Sequence, residues 1–299
     1  MRPALLAALA VLALPGAASA APCDEPAHPG GEWTTYGHDL YNTRAQPLES
    51  KIGTGNADAL APAFVHEAPG LINSTPLVSG GCVFVTSQGA TTSVGHVAAI
   101  DADDGTPRWK VDIPVGTASF GGPLVGSPAL AGDVLVVALN RKAGPFVVGL
   151  DRDTGAERWR RTVDTQPNSG INASPIVYDG MVVVGFFGNA DAQDVERGGF
   201  VILDAATGEL LEKTYVIGDD DFKAGYAGAG IWSTFAVDAA TGYGYAGTSN
   251  PHNAQMEHPR SNSILKVDLD RGRATFGEIV ASYKGVNDTV VPGAQEQPV

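Results

Sequence analysis

The sequence predicts an all-β protein, a β-propeller of radially stacked sheets, on three observations. A strand-turn-strand phrase recurs along the chain, and a valine-rich phrase precedes each copy of it. The composition, with 38 glycines and 20 prolines in 299 residues, suits short strands and tight turns better than long helices.

The recurring phrase is an apolar residue, an aspartate, a glycine four positions on and a large aromatic four further. Asp101, Gly105 and Trp109 form the first copy, and Asp151, Gly155 and Trp159 the second. Asp204 and Gly208 begin the third, where Glu212 replaces the aromatic, and Asp268, Gly272 and Phe276 form the fourth. An aspartate can hydrogen-bond the backbone ahead of it, and a glycine takes the positive φ that closes a tight turn. The aromatic on the far strand is then placed to pack on a neighbouring unit. Ahead of each turn runs a small, hydroxylated start and an apolar strand: Ser74-Thr75-Pro76, Ser127-Pro128, Ser174-Pro175 and Ser233-Thr234. Each unit thus offers three or four strands and no helix, and radial stacking is what covers both faces of such a sheet. About five units fit between Trp33 and Val299, and no closing strand phrase follows Gly293. The ring is therefore expected to be partial, completed by further chain or by another polypeptide, because an open propeller leaves bare edge strands.

Residues 1–20 read as a signal peptide. Arg2 precedes an apolar run from Ala4 to Leu14, Pro15-Gly16 breaks it, and Ala18-Ser19-Ala20 supplies a cleavage pattern. The run is too short to span a bilayer, and charges and glycines interrupt every later apolar stretch, so no membrane span is expected. Ala21-Pro22-Cys23 departs from a lipoprotein signal because a proline directly precedes the cysteine. The expected mature chain, 21–299, is an exported propeller, periplasmic or secreted. The formal charge of −14 argues against nucleic-acid or anionic-membrane partners, which need clustered Lys and Arg. Cys23 and Cys82 are either one disulfide, fitting an oxidising compartment, or two separate thiols. Neither has metal-ligand spacing, and no Cys-x-x-Cys-His marks a c-type haem. The six histidines are scattered; only His252 and His258 share a loop, which reads as cleft lining or exposed surface.

The phrase Asp-x-x-Thr-Gly-x-x-x-Trp resembles the tryptophan-docking repeat of quinoprotein (PQQ-type) dehydrogenase propellers, which also occurs in non-catalytic propeller lipoproteins of outer-membrane assembly. By itself it indicates fold. Two stretches lean toward the dehydrogenases. The opening, Trp33-Thr34-Thr35-Tyr36-Gly37-His38-Asp39 through Arg44 and on to Phe64, is similar to that of alcohol-oxidising quinoproteins, closest to the polyvinyl-alcohol dehydrogenase group. Its physical role alone would be a clasp closing the ring. The second is Gly228-Ala229-Gly230-Ile231-Trp232 followed by Gly247-Thr248-Ser249-Asn250-Pro251, with Ser249 at a position where the family has glycine.

The resemblance implies an eight-bladed ring, of which this would be part, with pyrroloquinoline quinone and calcium as cofactors and an alcohol as substrate. It implies that Trp232 is the floor beneath the quinone and Asn250, eighteen residues on, a calcium ligand. Indole offers the largest flat apolar surface, and an amide oxygen is a suitable neutral ligand for a hard ion. A core tryptophan and a turn asparagine are the plainer readings of the same residues. The family's glutamate ligand, before an Arg-Gly, falls in the irregular stretch 188–198; Asp191 is the candidate, Asp194 and Glu196 its rivals, and Arg197 the accompanying cofactor contact. Asp288 falls where the catalytic aspartate is expected, without the tryptophan that usually precedes it. The vicinal cysteine pair of many members is absent. Electrons would pass to a separate cytochrome c. The alternative is a propeller that keeps the fold and serves as a binding or outer-membrane-assembly scaffold.

Overall fold

The structure, a computed structural model, describes residues 22–188, 196–252 and 257–284. The expected signal peptide, Asp191 and Asp288 lie outside these residues. Four antiparallel four-stranded sheets follow one another in sequence, each a meander of neighbouring strands. Blade 1 is β1 (Leu77–Ser79), β2 (Cys82–Ser87), β3 (Val94–Asp101) and β4 (Pro107–Pro114). Blade 2 is β5 (Ala129–Ala131), β6 (Val134–Leu139), β7 (Phe146–Asp151) and β8 (Glu157–Thr162). A short β9 (Ser169–Gly170) pairs with the end of the second strand of blade 3. Blade 3 is β10 (Ile176–Tyr178), β11 (Met181–Gly188), β12 (Gly199–Asp204) and β13 (Leu210–Tyr215), followed by the one-turn helix α1 (Asp219–Lys223). Blade 4 is β14 (Ala236–Asp238), β15 (Tyr243–Gly247), β16 (Ser263–Asp268) and β17 (Ile279–Lys284). The all-β propeller class is as the repeat predicted; the sheets among the described residues number four, against about five units read from sequence. No helix among the described residues is long and apolar enough to cross a membrane.

The middle strands of blades 1 to 3 are buried on both faces because those blades are packed from both sides, whereas β15 and β16 of blade 4 keep half-exposed positions on one face. Leu77, Phe84 and Val97 of blade 1 meet Leu135, Phe146 and Val148 of blade 2 in one core. Val136 and Val147 meet Val184 and Val201 in the next, and Val183 and Ile202 meet Val237 and Leu265 in the third. Burying such a side chain contributes about 1.5–3 kcal/mol, so the interfaces between sheets carry most of the stabilisation.

The repeat phrase has the role its chemistry suggested. Asp151 Oδ1 accepts the Thr154 amide and hydroxyl, and Asp204 Oδ1 does the same for Thr207. Trp109 lies over Gly155 and donates from Nε1 to Arg152 O; Trp159 lies over Gly208 and donates to Ala205 O. Both glycines have positive φ, and a Cβ on either would sit 2.4–2.5 Å from the indole. Phe64, from the opening segment, lies over Gly105 in the same way and so fills the docking position ahead of blade 1.

Blade 4 departs from the sequence reading. Its turn is longer: the positive-φ glycine whose amide returns to Asp268 O is Gly277, not Gly272, and Glu212 of blade 3 packs against it. Ala281 stands opposite Lys266 as Trp109 stands opposite Ala99, so alanine occupies the docking position and Phe276 packs into the core beside it. A phrase matched at fixed spacing cannot register an insertion within the turn.

The opening segment runs across the blades. Trp33 pairs with Val78 of β1, Thr34 O accepts from Leu130 of β5, and Leu40 O accepts from Val237 of β14. Cys23 and Cys82 form a disulfide that fastens its start to blade 1. Serine hydroxyls at the blade starts link neighbours: Ser127 Oγ accepts Thr75 N, and Ser174 Oγ accepts Ser127 N.

Candidate functional site

The run Gly228–Gly230 is the middle member of a small ribbon. Gly228 bridges Arg197 on one side and Pro251 on the other, with Gly228 N donating to Glu196 O and Ala229 N to Asn250 O. Close approach dictates the glycines. A Cβ on Gly228 would lie 2.4 Å from Asn250 O, and one on Gly198 would lie 2.3 Å from Gly230 Cα. Ser249 is not a neutral replacement: its Oγ accepts the Gly230 amide at 2.9 Å.

This ribbon delivers Trp232 and Asn250 to one end of the blades. Trp232 is half-buried, and its ring stacks on that of fully buried Phe187 at the end of β11, with centroids 4.6 Å apart and planes 26° apart. Phe120 leans against the indole at 5.8 Å and 59°. Trp232 lines a cavity of about 400 Å³ with Tyr36, Arg44, Asn172, Ser174 and Thr234. The opening segment is therefore more than a clasp, since it forms part of this wall. His38, Asn42 and Arg44 within it all have positive φ, a conformation that costs non-glycine residues of order 1 kcal/mol each and concentrates at functional sites.

Asn250 donates from Nδ2 to Pro251 O, but its Oδ1 is buried without a partner among the described residues. Leaving such an acceptor unsatisfied costs about 1–3 kcal/mol. A cation or donor bound there would satisfy it, so the amide oxygen and the indole surface fit a calcium ion and a flat quinone. Glu196 is the described acidic residue on the adjoining strand; it is 2% exposed, and its Oε1 accepts the Asn168 amide at 2.6 Å.

Arg197 does not reach the cavity, contrary to the expected cofactor contact. Its guanidinium lies between the Tyr215 and Phe222 rings, at 3.9 and 4.6 Å, and donates to Ile217 O and Asp219. It holds α1 against blade 3. His258 also turns inward, pairing with Asp221 at 3.2 Å, so its loop is not simply exposed. Among the described residues no group of three or more His, Cys, Asp or Glu is placed to hold a metal by itself. Tyr36, Phe187 and Phe120 were not singled out as site residues by sequence. Only Tyr36 had a signal, its place in the opening motif.

Fold and site together define a quinoprotein-type β-propeller. Residues 61–220 match the family profile described as outer membrane protein assembly factor BamB (PQQ_2), and the chain belongs to that family. It is similar to polyvinylalcohol dehydrogenase of Pseudomonas sp, 28% identical over 82% of this chain and 40% of that protein. The polyvinylalcohol dehydrogenase of Sphingopyxis sp. is 26% identical over 85% of this chain and 40% of its own length. The chain thus spans about 40% of these relatives. The crystal structure of quinohemoprotein alcohol dehydrogenase from Comamonas testosteroni superposes with a TM-score of 0.67 at 24% identity, over 85% of this chain and 41% of that one, a likeness of fold.

Proposed function

We propose that this chain is part of an exported, PQQ- and calcium-dependent alcohol dehydrogenase. The observation that carries the reading is an indole platform, Trp232, lining a cavity, with an unsatisfied amide oxygen, Asn250 Oδ1, on the neighbouring strand of the same glycine ribbon. When bound, pyrroloquinoline quinone held by calcium supplies a two-electron acceptor for the carbon-bound hydrogen of an alcohol. Trp232 offers the flat apolar surface, kept in place from beneath by Phe187. Asn250 Oδ1 offers a neutral ligand to calcium, and Asp191 or Glu196 the charged one. Arg44 and Tyr36 on the cavity wall offer a cation and a hydroxyl to acidic groups of a ligand. Asp288 is the proposed base that takes the hydroxyl proton. A separate cytochrome c is the proposed electron acceptor.

The test is titration of the protein with the quinone in the presence of calcium, followed by tryptophan quenching and alcohol-dependent dye reduction. Trp232→Ala and Asn250→Ala are expected to weaken quinone binding at least tenfold, the second with loss of the calcium requirement. Absence of calcium-dependent quinone binding by the wild type would overturn the reading. It would leave the alternative, a non-catalytic binding or outer-membrane-assembly scaffold, which the engagement of Arg197 with α1 and the description of the matching family both favour.

A further inference from the structure

Phe120 is 62% exposed, yet the turn that carries it is held by several hydrogen bonds. Its carbonyl accepts from the amide nitrogen of fully buried Asn140 at 2.6 Å, and the same nitrogen reaches Gly122 O at 3.0 Å. Gln88 Nε2 holds Gly121 O, and Thr117 O and Ser119 N bond to the stretch after β6. Asn140 spends its other amide atom on Ile171 N, so one buried side chain ties the Phe120 turn to the start of blade 3. Gly121 and Gly122, both at positive φ, turn the chain sharply after Phe120. A Cβ on Gly121 would stand 3.2 Å from Val125 and Asn172, both of which line the Trp232 cavity. The turn is thus fixed at the cavity rim, and what is left free is the phenyl ring.

Among the described residues that ring has one aromatic neighbour, Trp232, which it meets tilted and not stacked. Trp232 already stacks on Phe187. A large apolar ring held in solvent by a pinned backbone gains little from burial as it stands, and a tilted contact leaves a wedge beside the indole. We propose that Phe120 is the upper jaw of an aromatic clamp: the planar quinone lies on Trp232 and Phe120 closes over its other face. This rests on the function proposed above and adds the residue that holds the cofactor from the solvent side. Rotation about the Phe120 side-chain bonds is the only motion required, because the backbone is fixed. The jaw then acts chiefly on release, since it forms after the ring has landed.

Quinone binding reads this without any turnover. With calcium present, wild type, Phe120→Ala, Phe120→Tyr and Trp232→Ala are titrated with pyrroloquinoline quinone, and the dissociation rate is followed by recovery of tryptophan emission. Stacking contributes about 0.5–1.5 kcal/mol beyond area burial, so Phe120→Ala is expected to weaken binding roughly two- to twelvefold, mostly through faster release. Phe120→Tyr, which keeps the ring, is expected to bind as wild type. An unchanged melting temperature in Phe120→Ala separates loss of the jaw from collapse of the turn. Wild-type affinity and release rate in Phe120→Ala, with binding lost in Trp232→Ala, would overturn the clamp and leave the platform standing. No quinone binding by the wild type would remove the functional reading and the clamp together.

Discussion

At the scale of single residues, the molecule places glycine where a side chain already occupies the space. Gly208 is the clearest case: φ is +68°, and Trp159 covers the position a Cβ would take. Gly208→Ala is expected to lower stability by about 3 kcal/mol, from backbone strain and overpacking together, read as a fall in denaturation midpoint with unchanged slope. Trp232 and Asn250 could be picked out in sequence as candidates because type and spacing are read together, and the ribbon does bring their segments side by side; the direction of a guanidinium cannot be read that way. Arg197 sits beside the right glycines, yet two aromatic rings and the start of α1 draw it away from the cavity. Phe120 was illegible for a different reason, as one phenylalanine in a glycine-rich loop carries no pattern. Ser249 would have been passed over as a conservative change, but its hydroxyl satisfies the Gly230 amide.

At the scale of elements, the unit of construction is the aspartate turn with the ring that docks on its glycine. Thr154 hydroxyl donation, with Arg158 adding to it against the opposing effect of burial, holds the Asp151 carboxyl below its usual range. The Thr207 hydroxyl and amide do the same for Asp204. A carboxyl whose folded pKa is depressed stabilises the fold above its unfolded pKa, and that contribution is lost as pH falls toward the folded value. The turns are therefore expected to weaken below about pH 4 and not between pH 5 and 8. Thermal unfolding across that range checks it: Asp151→Asn and Asp204→Asn should melt lower than wild type near pH 7 and converge with it in acid. The sequence revealed these turns because each concentrates its chemistry in four or five residues. It misread the fourth because the hydrogen bond that closes the turn, from Gly277 to Asp268, spans five more residues than in blades 1 to 3. The strands themselves were legible through valine-rich runs, and the docking partner of Gly105 was not, since Phe64 belongs to no repeat.

At the scale of the molecule, four sheets share three interfaces, and the opening segment ties the first to the last. Reduction of Cys23–Cys82 frees the start of that segment, and loop closure of this order contributes about 2–4 kcal/mol. Reduced protein is expected to melt lower than oxidised protein and to expose amides of residues 33–44 to exchange first, as hydrogen-exchange mass spectrometry would register. The same tether bears on the order of events in time. Each blade is made of consecutive hairpins and can form from its own stretch of chain, but Leu40 needs Val237 and Asn42 needs Phe235, nearly two hundred residues further on. The part of the described chain that leaves the ribosome first is consequently among the last to find its place. Until blade 4 exists, the opening segment's contacts with blades 1 and 2, near Cys82, Val78 and Leu130, keep it within reach.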